Sequence, residues 1–199
     1  RVPDNPAFCK EGSDHPSAKL YPLPRAGRHL AMWDPKTDKL THIATCFGTH
    51  HLMFAEDANN TLWTSGGGQV VGWLNTKMFE ETGDEQKSQG WTALIMDSNG
   101  NGKRDEYVEP DQPPDPAKDK RLGGAFYAVA PAPDGSIWGT LLGFPGAVIR
   151  LVPGSNPPET PLQEIYHPAF SDPKNPGFSP RGGDVDRNGV YWAALASGH

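Results

Sequence analysis

Three stretches of the chain share one order of apolar and polar positions: a short apolar run, an Asp-led polar turn, and a second apolar run closing on Trp. They occupy residues 51–63, 127–138 and 183–192. A turn rich in Asp, Asn and Gly between two strand-length apolar runs predicts a β-hairpin. Repetition of such hairpins predicts an array of β-meanders, most often a β-propeller. Before the first repeat, residues 29–32 and 40–45 flank a polar turn at 33–39 and predict one more hairpin. After the first two repeats, residues 70–74 and 147–151 predict the next strands, leading into turns at 75–77 and 152–155, and residues 162–166 predict another. Trp63, Trp138 and Trp192 each end an apolar run, so each is expected as a core anchor buried between neighbouring sheets.

The repeats are unevenly spaced. Trp63 to Trp138 covers 75 positions and Trp138 to Trp192 covers 54, against about 40–50 per blade in common propellers. The excess predicts an inserted loop region at about 79–122, with a strand over 91–96 and a solvated loop over 110–120. A second Pro-rich loop is expected over 168–181, a flexible tip at Gly66-Gly67-Gly68, and an extended, Pro-rich N-terminal segment over 1–28. The expected fold class is therefore all-β: a partial β-propeller over 29–199, with three to four recognisable blades.

Composition narrows the reading. With 23 Gly, 21 Pro and a hydrophobic share of 36% in 199 residues, a helical bundle is excluded in favour of many short strands and tight turns. A net charge of −6 and a pI near 5.6 leave no basic footprint for nucleic acid or an anionic membrane. No apolar run approaches the ~18 residues of a membrane span. The chain starts at Arg1 and ends on a strand-like run, which reads as a fragment of a larger propeller. Its expected partner is the remainder of the same protein, or another chain, completing the sheet array. Cys9 and Cys46 can form one long-range disulfide, as in a secreted or periplasmic protein, or remain two buried thiols, or pair elsewhere.

The sharpest chemical motif is Asp97-Ser98-Asn99-Gly100-Asn101-Gly102-Lys103-Arg104-Asp105. Calcium takes six to eight oxygen ligands, and loops that hold it offer side-chain oxygens at alternate positions, a Gly at the sharp turn, then a backbone carbonyl and an acid. Asp97, Asn99, Asn101, the Lys103 carbonyl and Asp105 fill those places, which predicts a structural calcium site. Val108 stands where a bidentate Glu would close an EF-hand loop, and an ion-free polar turn remains the alternative reading. The similar run Asp184-Val185-Asp186-Arg187-Asn188-Gly189 coincides with the third repeat and reads as its hairpin turn. No Gly-x-Ser-x-Gly elbow or phosphate loop is present. His50 and His51 are weak catalytic candidates; adjacent on a strand, they are expected to point to opposite faces.

The Asp-turn-Trp units, with Trp33-Asp34-Pro35-Lys36-Thr37 and Ile149-Arg150-Leu151-Val152-Pro153-Gly154, resemble the β-propellers of the streptogramin B lyase-like and NHL/SMP-30-like superfamily. Gly48-Thr49-His50-His51-Leu52-Met53-Phe54, Gly90-Trp91, the run from Gly100 to Tyr107, and Ser179-Pro180-Arg181-Gly182 with Asp184-Val185-Asp186 are similar to a group of bacterial exported proteins of that type. The resemblance covers about residue 29 onward and implies a periplasmic or secreted location. The superfamily's lyase opens a cyclic depsipeptide ester by elimination, using His and Glu with magnesium, and its blades commonly place an acid just after the Trp. Here Trp is followed by Thr64-Ser65, Gly139-Thr140 and Ala193-Ala194, so no catalytic residue carries over.

Two functions are therefore expected to compete. One is a ligand-binding or interaction domain, taking an unknown small molecule or polymer and stabilised by calcium. The other is a metal-assisted lyase or hydrolase at the central channel, with His50 or His51 as base and magnesium as its metal. A pocket shared by either His and an acid such as Glu56 would favour the second.

Overall fold

Short apolar runs cut by Gly, Pro, Asn and Asp leave the backbone one general way to pair its polar groups, in ladders between successive runs. The computed structural model describes residues 4–65, 69–167, 174 and 177–198, and within them the chain is all-β. The expected tip at 66–68 and most of the 168–181 loop lie outside the described residues.

Strands β1 (Leu30–Asp34) and β2 (Lys39–Ile43) form a hairpin. Strands β3 (His51–Phe54), β4 (Thr61–Ser65), β5 (Val70–Asn75) and β6 (Gln89–Ala93) form a four-stranded antiparallel meander. Strands β7 (Ile95–Met96), β8 (Tyr107–Val108) and β9 (Asp119–Arg121) make a small sheet in the order β7-β9-β8. A second meander contains β10 (Val129–Pro131), β11 (Ile137–Leu141), β12 (Ala147–Val152) and β13 (Leu162–Tyr166). Strands β14 (Gly177–Val185) and β15 (Tyr191–Gly198) close the described chain as a long hairpin with a register shift between Pro180 and Gly183.

Several local expectations change. The strand expected over 91–96 is divided: residues 91–93 belong to β6, the outer strand of the first meander, and 95–96 to the small sheet. The turn expected at 75–77 instead opens a helix (Thr76–Thr82), capped by the Asn75 side chain at 2.9 Å from the Met78 nitrogen and ended by Gly83 at positive φ. The N-terminal segment is not extended throughout. It contains a 3-10 turn (Ala7–Cys9) and a short helix (Pro16–Leu20), and is tied to the connection between β2 and β3 by the Cys9–Cys46 disulfide, whose Cα atoms lie 5.4 Å apart. His15 stacks on the fully buried Trp91 with ring centroids 4.7 Å apart, and burial lowers its pKa.

The main core lies between the meanders, where Trp63, Val71 and Leu94 meet Phe126, Val129, Ile137, Ile149 and Leu151. A hydroxyl two residues after each of the first two repeat tryptophans joins successive sheets. Ser65 Oγ accepts from the His51 N–H at 3.1 Å and donates to the Tyr127 carbonyl at 2.7 Å. Thr140 Oγ1 accepts from the Ala128 N–H at 3.2 Å and donates to the Arg181 carbonyl at 2.6 Å. Strands β3, β10 and β14 thereby stand side by side as the first strands of three successive units.

The tryptophans do not share one environment. Trp63 is 5% exposed against Trp73, and Trp138 is half-buried in a stack with Tyr166 and Tyr191. Trp192 is 66% exposed, contrary to the burial expected for it. Its hairpin has two strands rather than four among the described residues, so no outer strand or following sheet covers the indole.

Candidate functional site

The hydroxyl bridges fix an alignment that the apolar runs alone miss. The N–H of His50 bonds the Ser65 carbonyl, and the N–H of Tyr127 bonds the Thr140 carbonyl, both at 2.8 Å. His50 and Tyr127, just ahead of β3 and β10, and Arg181, at the register shift within β14, therefore hold the same place relative to these hydroxyl bridges in three successive units. The first repeat's turn is two residues longer, which displaces the match when the runs are aligned from their starts.

These side chains converge. The His50 and His51 rings meet edge to face at 4.4 Å, and both lie against Tyr127, with centroids at 5.1 and 4.8 Å. The Arg181 guanidinium stands over the same Tyr127 ring at 5.7 Å. Opposite-face pointing was expected for the two histidines. His50 lies in a bend ahead of β3, outside the pleat that would force alternation, so both rings reach one cluster.

His50 and Tyr127 open onto a cavity of about 550 Å3, lined also by Arg28, Phe126, Leu141 and Leu142. Burial, and secondarily the neighbouring His50, lower the pKa of His51; of the two arginines, Arg28 lines the cavity and Arg181 stands beside it over the Tyr127 ring. No Asp or Glu is among the described residues that line the cavity. Glu56 instead borders a separate, larger groove of about 810 Å3 at the turn ends of the meanders, with Asp57, Trp73 and Asp184 and without either histidine. Cationic, aromatic and apolar groups meeting in one concave surface can hold an anionic small molecule. Sequence reasoning passed over Arg28, Tyr127 and Arg181.

The 97–105 loop lies elsewhere, on the small sheet. Asp97 follows β7, Asp105 precedes β8, and Asp119 opens β9, so the sheet brings three carboxylates to one end. Asp97 accepts from the N–H groups of Gly100 (2.7 Å), Asn101 (3.1 Å) and Gly102 (2.9 Å). Asn99 Oδ1 accepts from the Asn101 N–H and Asn101 Oδ1 from the Lys103 N–H, while both side-chain amides donate to Asp105 Oδ2 at 3.0 and 2.6 Å. Those two bonds lower the Asp105 pKa. Among the described residues, no three His, Cys, Asp or Glu side chains form a group that could hold a metal ion as they stand.

Asp119 falls within the solvated loop expected over 110–120, yet it is 1% exposed. Its backbone explains the difference: the Asp119 N–H bonds the Glu106 carbonyl at 2.8 Å as β9 enters the sheet beside β8. Burial, with the charges of Asp97 and Asp105, raises its pKa.

Among the described residues no helix is long and apolar enough to cross a membrane. No protein-family model matches the chain, and no curated protein matches it.

Proposed function

We propose that the chain is part of a β-propeller acting as a ligand-binding domain of an exported bacterial protein, with an anionic ligand seated on the His50–His51–Tyr127–Arg181 cluster and calcium on the 97–105 loop. The observation that carries this reading is the meeting of equivalent positions from three successive units, His50, Tyr127 and Arg181, around one ring. In a radial array such positions face the axis, where propellers commonly bind. The hydroxyl bridges between sheets support the radial arrangement, and the Cys9–Cys46 disulfide supports an oxidising compartment. Exposed Trp33, Leu40, Val190, Trp192 and Leu195 on the two hairpins support further polypeptide packing there, from the same protein or another chain.

Lyase or hydrolase chemistry is the less favoured reading. A histidine base that removes a proton acts together with an acid or metal near the reacting group, and among the described residues the His50 cavity has no acidic lining residue. Calorimetric titration with inorganic phosphate and with small mono- and dicarboxylates decides between them. Saturable binding is expected, weakened by Arg181→Gln and by Tyr127→Ala, and strengthened as pH falls below the ordinary histidine range because His51 then gains its proton. Indifference to both substitutions would remove the site. Turnover of a cyclic ester, lost in His51→Ala, would establish the enzyme reading instead.

A further inference from the structure

The loop's own donors do not fill a calcium shell. Asp97, Asn99, Asn101, the Lys103 carbonyl and Asp105 are five groups, below the six to eight oxygens calcium takes. The rest of the shell falls to second carboxylate oxygens, to water, or to a protein oxygen from outside the loop. Asp119 is the buried acid beside it: Oδ2 accepts from the Asp105 N–H at 2.8 Å, and Oδ1 is buried without any hydrogen-bond partner. A buried carboxylate oxygen that lacks a donor is costly, and one next to two more carboxylates is costlier still, unless a positive group compensates it.

The cationic side chains nearby are committed elsewhere. Arg104 is close enough to be attracted by Asp119, but its guanidinium bonds Thr92 Oγ1 at 2.9 Å and the Pro158 carbonyl at 3.4 Å. Lys118 pairs with Glu106 at 3.1 Å, Lys120 bonds the Gln112 carbonyl at 2.8 Å, and Arg121 pairs with Glu109. Lys103 is on the exposed side of the loop and attracts Asp105.

We infer that Asp119 is a direct ligand of the loop cation, reaching it through Oδ1 from a strand fourteen residues beyond Asp105. The donor set then contains three carboxylates and only oxygen, which suits calcium over softer metals. The ion ties β7, β8 and β9 together at one end, and so pins the 109–118 excursion that joins β8 to β9. Asp97, Asp105 and Asp119 must draw closer than they stand for this to occur, so calcium is expected to tighten the sheet end. This inference rests on the calcium reading of the 97–105 loop.

Calorimetric titration of the chain with calcium chloride separates the two claims. Wild type is expected to bind, Asp97→Ala to lose binding, and Asp119→Asn to bind at least about tenfold more weakly. Without calcium, Asp119→Asn should melt no lower than wild type, because its amide can donate to the surrounding carboxylates where the ionised carboxylate cannot. Wild type that fails to bind calcium overturns the loop reading itself. Wild type that binds, with Asp119→Asn binding equally well, overturns only the role of Asp119. The Asp119 side-chain carboxyl carbon resonance of wild type tests the same point without substitution. It should shift on calcium addition with the same half-saturation as that of Asp97, and a resonance that stays fixed while Asp97 moves rejects the inference.

Discussion

The first meander and the terminal hairpin are written in the same pattern and packed in opposite ways. Both run apolar strand, Asp turn, strand with Trp. Asp57 Oδ1 takes the N–H groups of Asn59 and Thr61, and Asp186 Oδ1 takes those of Asn188 and Val190. Trp63 nevertheless sits in the core beside Trp73, while Trp192 stands in the open with Val190 and Leu195. The repeat thus encodes the turn and the pairing of two strands, which are local. Burial of its tryptophan is supplied by the third strand and by the next sheet, which are not.

The comparison is broken most directly at Trp63. Trp63→Ala removes a fully packed indole from the core and should cost about 3–5 kcal/mol in chemical denaturation. A loss under about 1 kcal/mol would mean that the core can close around the gap and that the first meander is no better packed than the hairpin.

Much of this arrangement was legible in the order of residues. All three Asp turns, the hairpin at 30–43 and the strand at 162–166 follow from apolar runs and turn chemistry. The convergence of His50, Tyr127 and Arg181 was not legible, because it depends on register between sheets. Its local trace is the hydroxyl two residues after Trp, Ser65 and Thr140, which bridges to the following strand. The third repeat has Ala194 at that place and no such bridge can form there. Asp119 escaped for a different reason. It follows a polar, Pro-rich run and looks solvated in sequence, whereas its burial comes from a parallel pairing with β8 that no local pattern announces.

The second meander offers a smaller test through acid. The Ser136 hydroxyl and N–H, with Arg150 adding at 2.9 Å, hold the Asp134 carboxyl down at about 2. A depressed acid stabilises the fold above its unfolded pKa, near 4, and that share is lost as pH falls toward about 2. Because Asp134 is more than half exposed, screening cuts the effect, and Asp134→Asn should cost about 1 kcal/mol or less at neutral pH. The variant should then lose less stability than wild type between pH 4 and pH 2. Parallel acid curves for the two proteins would show that the Ser136 and Arg150 contacts do not hold the turn in solution.

The smallest effect is expected at Trp192, and it sharpens the comparison most. Its indole donates to Asp186 Oδ2 at 3.2 Å across the hairpin but covers little else among the described residues. An exposed hydrogen bond of this kind contributes little net stability, and surface substitutions away from packed features stay within about 0.5 kcal/mol. Trp192→Ala should therefore leave the denaturation midpoint of a dilute sample nearly unchanged, in contrast to Trp63→Ala. A cost that grows with protein concentration would show the indole being covered by a second copy, since association adds stability by mass action. A large cost independent of concentration would place Trp192 in a packed core, and the difference drawn between meander and hairpin would fall.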